Sequence, residues 1–172
     1  IGYMPQDVQL LPGTVAENIA RLGEVDAEAV VAAAQAAGAH DMILELPHGY
    51  DTVVEPGSTL LSPGQRQRIA FARALYRQPC LLLLDEPNAN LDGLGEQKLG
   101  EALAALRGKV TVVMVTHRSP LVSHADKLLL LEAGKVRQFG PVTEVLQAMR
   151  RGGATGPAQP VDLGSEGQRW AR

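Results

Sequence analysis

Leu81-Leu82-Leu83-Leu84-Asp85-Glu86-Pro87 is an apolar run that never alternates and then stops on two carboxylates and a proline. A strand buried on both faces reads this way, and such strands belong to parallel sheets covered by helices. The run from Cys80 to Leu84 has strand length, and Pro87 ends it. Ligands of open α/β sheets bind beyond the carboxyl ends of the strands, which is where Asp85 and Glu86 would stand. An aspartate there suits Mg²⁺, which takes oxygen ligands beside phosphates. The adjacent glutamate has the chemistry of a general base toward water. Taken alone, the pair reads equally well as a strand running into an acidic turn.

Upstream lies Leu61-Ser62-Pro63-Gly64-Gln65. Ser62 is a good N-cap, Pro63 suits the first helical position, and Gln65 completes a capping box, so a helix is predicted to about Tyr76. A helix start exposes unpaired N–H groups and a partial positive charge, and it attracts phosphate. Ser62 adds a hydroxyl, and Gly64 permits close approach to the backbone. Alone, this stretch is plain helix capping, and Arg66-Gln67-Arg68 reads as a solvated face.

Downstream, Asp92 caps a helix carrying Leu94, Leu99, Leu103 and Leu106 on or near one face. Lys109 to Thr116 is predicted to be a second buried strand. His117 follows it, where a histidine can contact a γ-phosphate or orient water; alone it reads as structural. Ser119-Pro120 starts a short helix. Lys127–Leu131 and Val136–Phe139 form a hairpin through Glu132-Ala133-Gly134-Lys135, and a last helix covers about Val142 to Arg150.

Before the Ser62 helix, Ile1 to Tyr3 ends a strand and Gln6 sits in the loop after it. Pro12-Gly13 marks a turn. The T-x-x-E box from Thr14 to Glu17 opens a short helix through Arg21, and Asp26 caps another that stops at Gly38. His40 to Leu46 adds a third, after which Pro47 to Tyr50 turns the chain into a loop through Gly57. A helical insert followed by alternating strands and helices is the pattern of an α/β fold with a parallel sheet. The expected organisation is one α/β domain over 1–150, its helical part about 14–76. The Gly-, Pro- and Gln-rich segment 151–172 is expected to be a disordered tail.

Bulk properties narrow the function. Hydrophobic residues make up 45% and aromatics 3%, so the core is aliphatic. A net charge of −3 is too mild to argue for a nucleic-acid partner or a membrane surface, and no nucleic-acid partner is expected. Cys80 is the only cysteine, which fits a cytosolic setting and no internal disulfide. No apolar run approaches the ~20 residues that span a bilayer. No signal peptide is evident. His40, His48 and His124 lack metal-ligand spacing. A G-x-x-x-x-G-K-[ST] phosphate loop does not occur in the chain.

Five motifs in order are Tyr3-Met4-Pro5-Gln6, Leu61-Ser62-Pro63-Gly64-Gln65-Arg66-Gln67-Arg68, Leu84-Asp85-Glu86-Pro87, Asn90-Leu91-Asp92 and Val115-Thr116-His117. Together they resemble the nucleotide-binding domain of ATP-binding cassette transporters from the Q-loop onward, over Ile1 to about Arg150. The resemblance implies a parallel-sheet P-loop NTPase-type core with a helical signature subdomain. It also implies a family part upstream, bearing the Walker A loop and the adenine-stacking aromatic; the start at Ile1 fits that expectation. It implies ATP as ligand and Mg²⁺ as cofactor.

By the same resemblance Gln6 is the Q-loop glutamine near the metal, Asp85 the Walker B aspartate at Mg²⁺, and Glu86 the catalytic glutamate. His117 is the switch histidine. Ser62, Gly64 and Gln65 form the signature, which binds the γ-phosphate of ATP held by the opposite subunit. Asp92 is the D-loop aspartate at the dimer interface. Pro63 replaces the usual first glycine of the signature.

Leu11 to Ile19 and Asp51 to Gly57 are similar to exporters, where the second segment meets the membrane domain. Asn88 stands where many exporters have Thr or Ser, as in ATPases of bacterial type I protein secretion. The implied partners are a second nucleotide-binding domain, a transmembrane domain, and the membrane-fusion and outer-membrane proteins of a secretion system. The implied place is the cytoplasmic face of the bacterial inner membrane. Two other readings are a catalytically inert piece or partner lacking the phosphate loop, and a soluble, non-transport ATPase of the same family.

Overall fold

The computed structural model describes residues 1–55, 58–117 and 119–151. The expected tail and the Pro56-Gly57 end of the loop lie outside them. The chain divides into two compact units, Ile1–His117 and the part from Arg118 onward.

The first unit is built on a three-stranded parallel sheet in the order β1 (Gly2–Met4), β4 (Leu81–Asp85), β5 (Thr111–Val115). Register runs Met4 to Leu84 and Asp85 to Val115, so all three strands end at one edge. Between β1 and β4 lie β2 (Gly13–Thr14), α1 (Val15–Ile19), α2 (Ala27–Ala36), α3 (His40–Leu44), β3 (Val53–Val54) and α4 (Pro63–Leu75). α5 (Gly93–Leu106) connects β4 to β5. This is the parallel α/β fold expected from the pattern.

Helix starts follow their caps. Thr14 and Ser62 each make a full capping box, and Asp26 and Asp92 each accept a backbone N–H in the first turn. α4 is the central helix, and Ile69, Ala70, Phe71, Ala74 and Leu75 are buried against β1, α1 and α2. The approach to β1 is so close that a Cβ on Gly2 would fall 2.0 Å from the Ala74 carbonyl oxygen. Asn18, buried on α1, joins this helix to the loop after β1. Its amide accepts from Leu11 N at 2.9 Å and donates to Leu11 O at 2.8 Å. Arg73 of α4 donates to the same amide oxygen at 3.3 Å. Burial, and then the charge of Arg21, lowers the Arg73 pKa.

Several expectations need correction. Pro12-Gly13 is no simple turn, and the loop after Tyr50 is not wholly irregular. Gly13 and Thr14 pair antiparallel with Val54 and Val53, and Val15 N donates to Thr52 O at 3.0 Å. Residues Gly49–Asp51 form a 3-10 turn. α1 stops at Ile19, because Arg21 and Leu22 take left-handed φ of 61° and 57°. β4 is not buried on both faces: Leu82 and Leu84 are buried, whereas Leu81 and Leu83 are half-buried. β5 is not a buried strand, with Val113 52% and Val115 59% exposed. Leu94 is 60% exposed; it sits off the stripe formed by Gly95, Leu99, Ala102 and Leu103, which faces inward at helical spacing.

The second unit holds α6 (Ser119–Val122), the hairpin β6 (Lys127–Glu132) and β7 (Lys135–Pro141), and α7 (Val142–Arg151). The hairpin is longer than expected and carries a register shift at Leu130/Leu131. Val142 and Val145 of α7 and Leu121 are its buried apolar residues.

Candidate functional site

The sheet register sets the site. Asp85 is the last residue of β4 and pairs with Val115, the last of β5. Glu86 and His117 therefore leave neighbouring strands at the same edge, and His117 Nδ1 lies 2.6 Å from Glu86 Oε1. With the carboxylate as acceptor, the tautomer that makes this bond carries its hydrogen on Nδ1. Glu86 is buried, while the His117 side chain is 76% exposed. One carboxylate oxygen is thus committed to histidine. The other, Oε2, is buried and has no hydrogen-bond partner among the described residues.

The Glu86 backbone is held as tightly. Its N–H donates to Val115 O at 2.9 Å, and its carbonyl accepts from Ala89 N at 3.1 Å. Its φ is 47°, a conformation that costs a non-glycine residue about 1–2 kcal/mol. A costly φ persists where surrounding contacts over-determine it, and such residues cluster at functional sites.

Asp85 is half-buried beside Glu86, and Gln6 is exposed two residues beyond the end of β1, at the same sheet edge. No group of three or more His, Cys, Asp or Glu side chains forms a metal cage among the described residues. The donor chemistry of Asp85 and Gln6 therefore suits a divalent ion that brings phosphate and water ligands with it, the habit of Mg²⁺.

Ser62, Gly64 and Gln65 sit at the start of α4, where Ser62 N donates to Gln65 Oε1 at 2.8 Å and Gln65 N to Ser62 Oγ at 3.2 Å. They join no hydrogen bond with Glu86 or His117 among the described residues. Asp92 Oδ1 accepts from Gly95 N at 2.8 Å, and the residue is exposed. Gly64 is close to the Asp92 loop, since a Cβ on it would meet Asn90 O at 3.0 Å.

Arg66-Gln67-Arg68 is not a solvated face. Arg66 Nη1 donates to Leu61 O at 2.6 Å, and Gln67 is 2% exposed. Gln67 spans the Glu86 loop, as its amide reaches both Glu86 O and Asn90 N. The signal was present in helical spacing: residue 67 shares a face with Ala70, Phe71 and Ala74, all buried. Asn88, singled out only as a subfamily mark in the sequence, is fully buried, and its Nδ2 donates to Glu96 Oε1 at 3.1 Å.

Carboxylates and a histidine gathered beyond the strand ends of a parallel sheet stand where open α/β folds bind their ligands. The family described as ABC transporter matches residues 1–89. A type I secretion system ATP-binding protein, PrsD of Rhizobium meliloti, is 46% identical over 98% of this chain, which spans 29% of that protein's length. An ABC transporter ATP-binding protein of Bacillus subtilis, YfiB, is 43% identical over 85% of the chain and 25% of its own length. The structure of a bacterial Atm1-family ABC exporter with ATP bound superposes with a TM-score of 0.78 at 32% identity, over 91% of this chain and 29% of that one. The chain belongs to the ABC transporter family.

Proposed function

We propose that this chain supplies the portion from the Q-loop onward of an exporter ATPase that hydrolyses ATP between two head-to-tail copies. The observation that carries the reading is the Glu86–His117 pair, with one carboxylate oxygen held by histidine and the other unpartnered. The Glu86 carboxylate takes the proton of the attacking water as general base. His117 fixes the carboxylate through Nδ1 and presents its exposed ring to the γ-phosphate. Asp85 and Gln6 would hold Mg²⁺, which would supply neutralisation of phosphate charge there.

Ser62, Gly64 and Gln65 serve the γ-phosphate of ATP on the opposite copy. The Ser62 hydroxyl oxygen accepts within the capping box and keeps its hydrogen free to donate outward. Pro63 costs only an N–H that no helical turn would use. Asp92 lies at the seam between copies.

A groove of about 610 Å³ lined by Val8, Leu10, Val54, Glu55, Leu60 and Arg66 receives the transmembrane domain. It joins the loop after Gln6 to the start of α4. The likeness to PrsD supports protein export by type I secretion, with membrane-fusion and outer-membrane proteins as further partners, at the cytoplasmic face of a bacterial inner membrane. The domain boundaries that go with this reading are 1–150 for the ATPase part and about 14–76 for its helical portion.

The test is Glu86→Gln in the full-length exporter. Turnover is expected to fall by about 10²–10⁴-fold while ATP stays bound. Wild-type turnover would sink the assignment.

A further inference from the structure

The Glu86 side chain has a partner, but its direction depends on a backbone held at φ 47°. A single side chain, Gln67, closes the loop that follows. Its Nε2 donates to Glu86 O at 3.3 Å, and its Oε1 accepts from Asn90 N at 2.9 Å. Gln67 is 2% exposed; its bond to Glu86 O is buried and its bond to Asn90 N part-buried. An amide is suited to this task because it carries a donor and an acceptor on one planar group. Gln67 also sits one turn into α4, just past Gly64, which itself packs near Asn90 O.

From this geometry we infer that Gln67 is a positioning residue for hydrolysis: it clamps the Glu86–Asn90 loop to the phosphate-binding helix and so aims Glu86. The inference rests on the reading of Glu86 as general base. A displacement of the α4 start reaches Glu86 through one amide, without passing through the sheet. A displacement of about 1 Å at a reacting group is enough to cost on the order of 100-fold in rate.

The test uses the full-length exporter with Gln67→Met, Gln67→Glu, Glu86→Gln and the Gln67→Met/Glu86→Gln pair. Turnover, ATP affinity and melting temperature are measured for each. Gln67→Met keeps length and helical preference and removes both bonds. Its kcat is expected to fall about 10–100-fold with KM, ATP affinity and melting temperature unchanged. The double variant should retain ATP as Glu86→Gln does. Gln67→Glu keeps the acceptor for Asn90 N and loses the donor to Glu86 O. Its deficit should shrink as pH falls, because a protonated carboxyl regains a donor.

Wild-type turnover in Gln67→Met overturns the inference. So does a loss of turnover matched by lost ATP affinity or lost melting, or a Gln67→Glu deficit that ignores pH. Normal turnover in Glu86→Gln overturns the underlying reading, and the positioning role falls with it.

Discussion

The Glu86 loop and the Ser62 helix start are both polar and both lie near the expected phosphate, yet they are built in opposite ways. Glu86 is buried, strained and tied at every backbone group to β5, to its own turn and to α4. Ser62 is exposed and, among the described residues, bonds only within its own first turn. The difference separates two jobs. A group that must meet water at one angle is over-determined. A group that must meet a ligand arriving from outside is left self-sufficient until the ligand comes.

Substitutions that break one half should therefore spare the other. The largest effect is expected at Glu86 itself. Glu86→Gly and Glu86→Ala both abolish base chemistry, about 10²–10⁴-fold in kcat. They should nonetheless differ in stability. Glycine accepts φ 47° freely, so Glu86→Gly should be more stable than Glu86→Ala by about 1 kcal/mol in denaturant titration. Equal stability would mean that the backbone is not strained there.

Next, His117→Ala removes the bond to Glu86 Oε1. It should lower kcat by about 10²-fold and leave the melting temperature intact, since His117 is exposed. A loss of stability would show the pair to be structural. Ser62→Ala should do the reverse. It removes an N-cap for about 1 kcal/mol of stability and weakens ATP-dependent pairing of copies, with the chemical step in any closed pair unchanged. Light scattering with ATP, on a Glu86→Gln background, reads that pairing. The smallest effect falls outside both regions. Gln97→Ala loses one exposed bond to Glu101 at 2.9 Å and should shift neither turnover nor melting.

Capping chemistry made much of this legible. Thr14, Asp26, Ser62 and Asp92 each announce a helix that begins where their side chains dictate. The apolar run before Asp85 likewise announces its strand. What escaped was non-local. The pairing of Gly13-Thr14 with Val53-Val54 involves two residues on each side and leaves no periodic trace. The Glu86–His117 contact follows from the register of β4 on β5, which neither strand states alone. Gln67 was misread for another reason: two flanking arginines suggested a polar face, while the helical spacing pointed inward. The residue types for a phosphate site stood in the sequence, whereas the clamp that aims them needed three dimensions.

One consequence of the sheet concerns handling rather than catalysis. Tyr3, Leu83 and Val113 stand in register across β1, β4 and β5, and the two outer members are more than half exposed. Val115 extends that row toward the strand ends. An exposed apolar band of this kind binds hydrophobic dyes and seeks its own kind in solution. Prepared by itself, the 172-residue chain should light up such dyes and come out of solution as it is concentrated. Lysine at Val113 should relieve both behaviours.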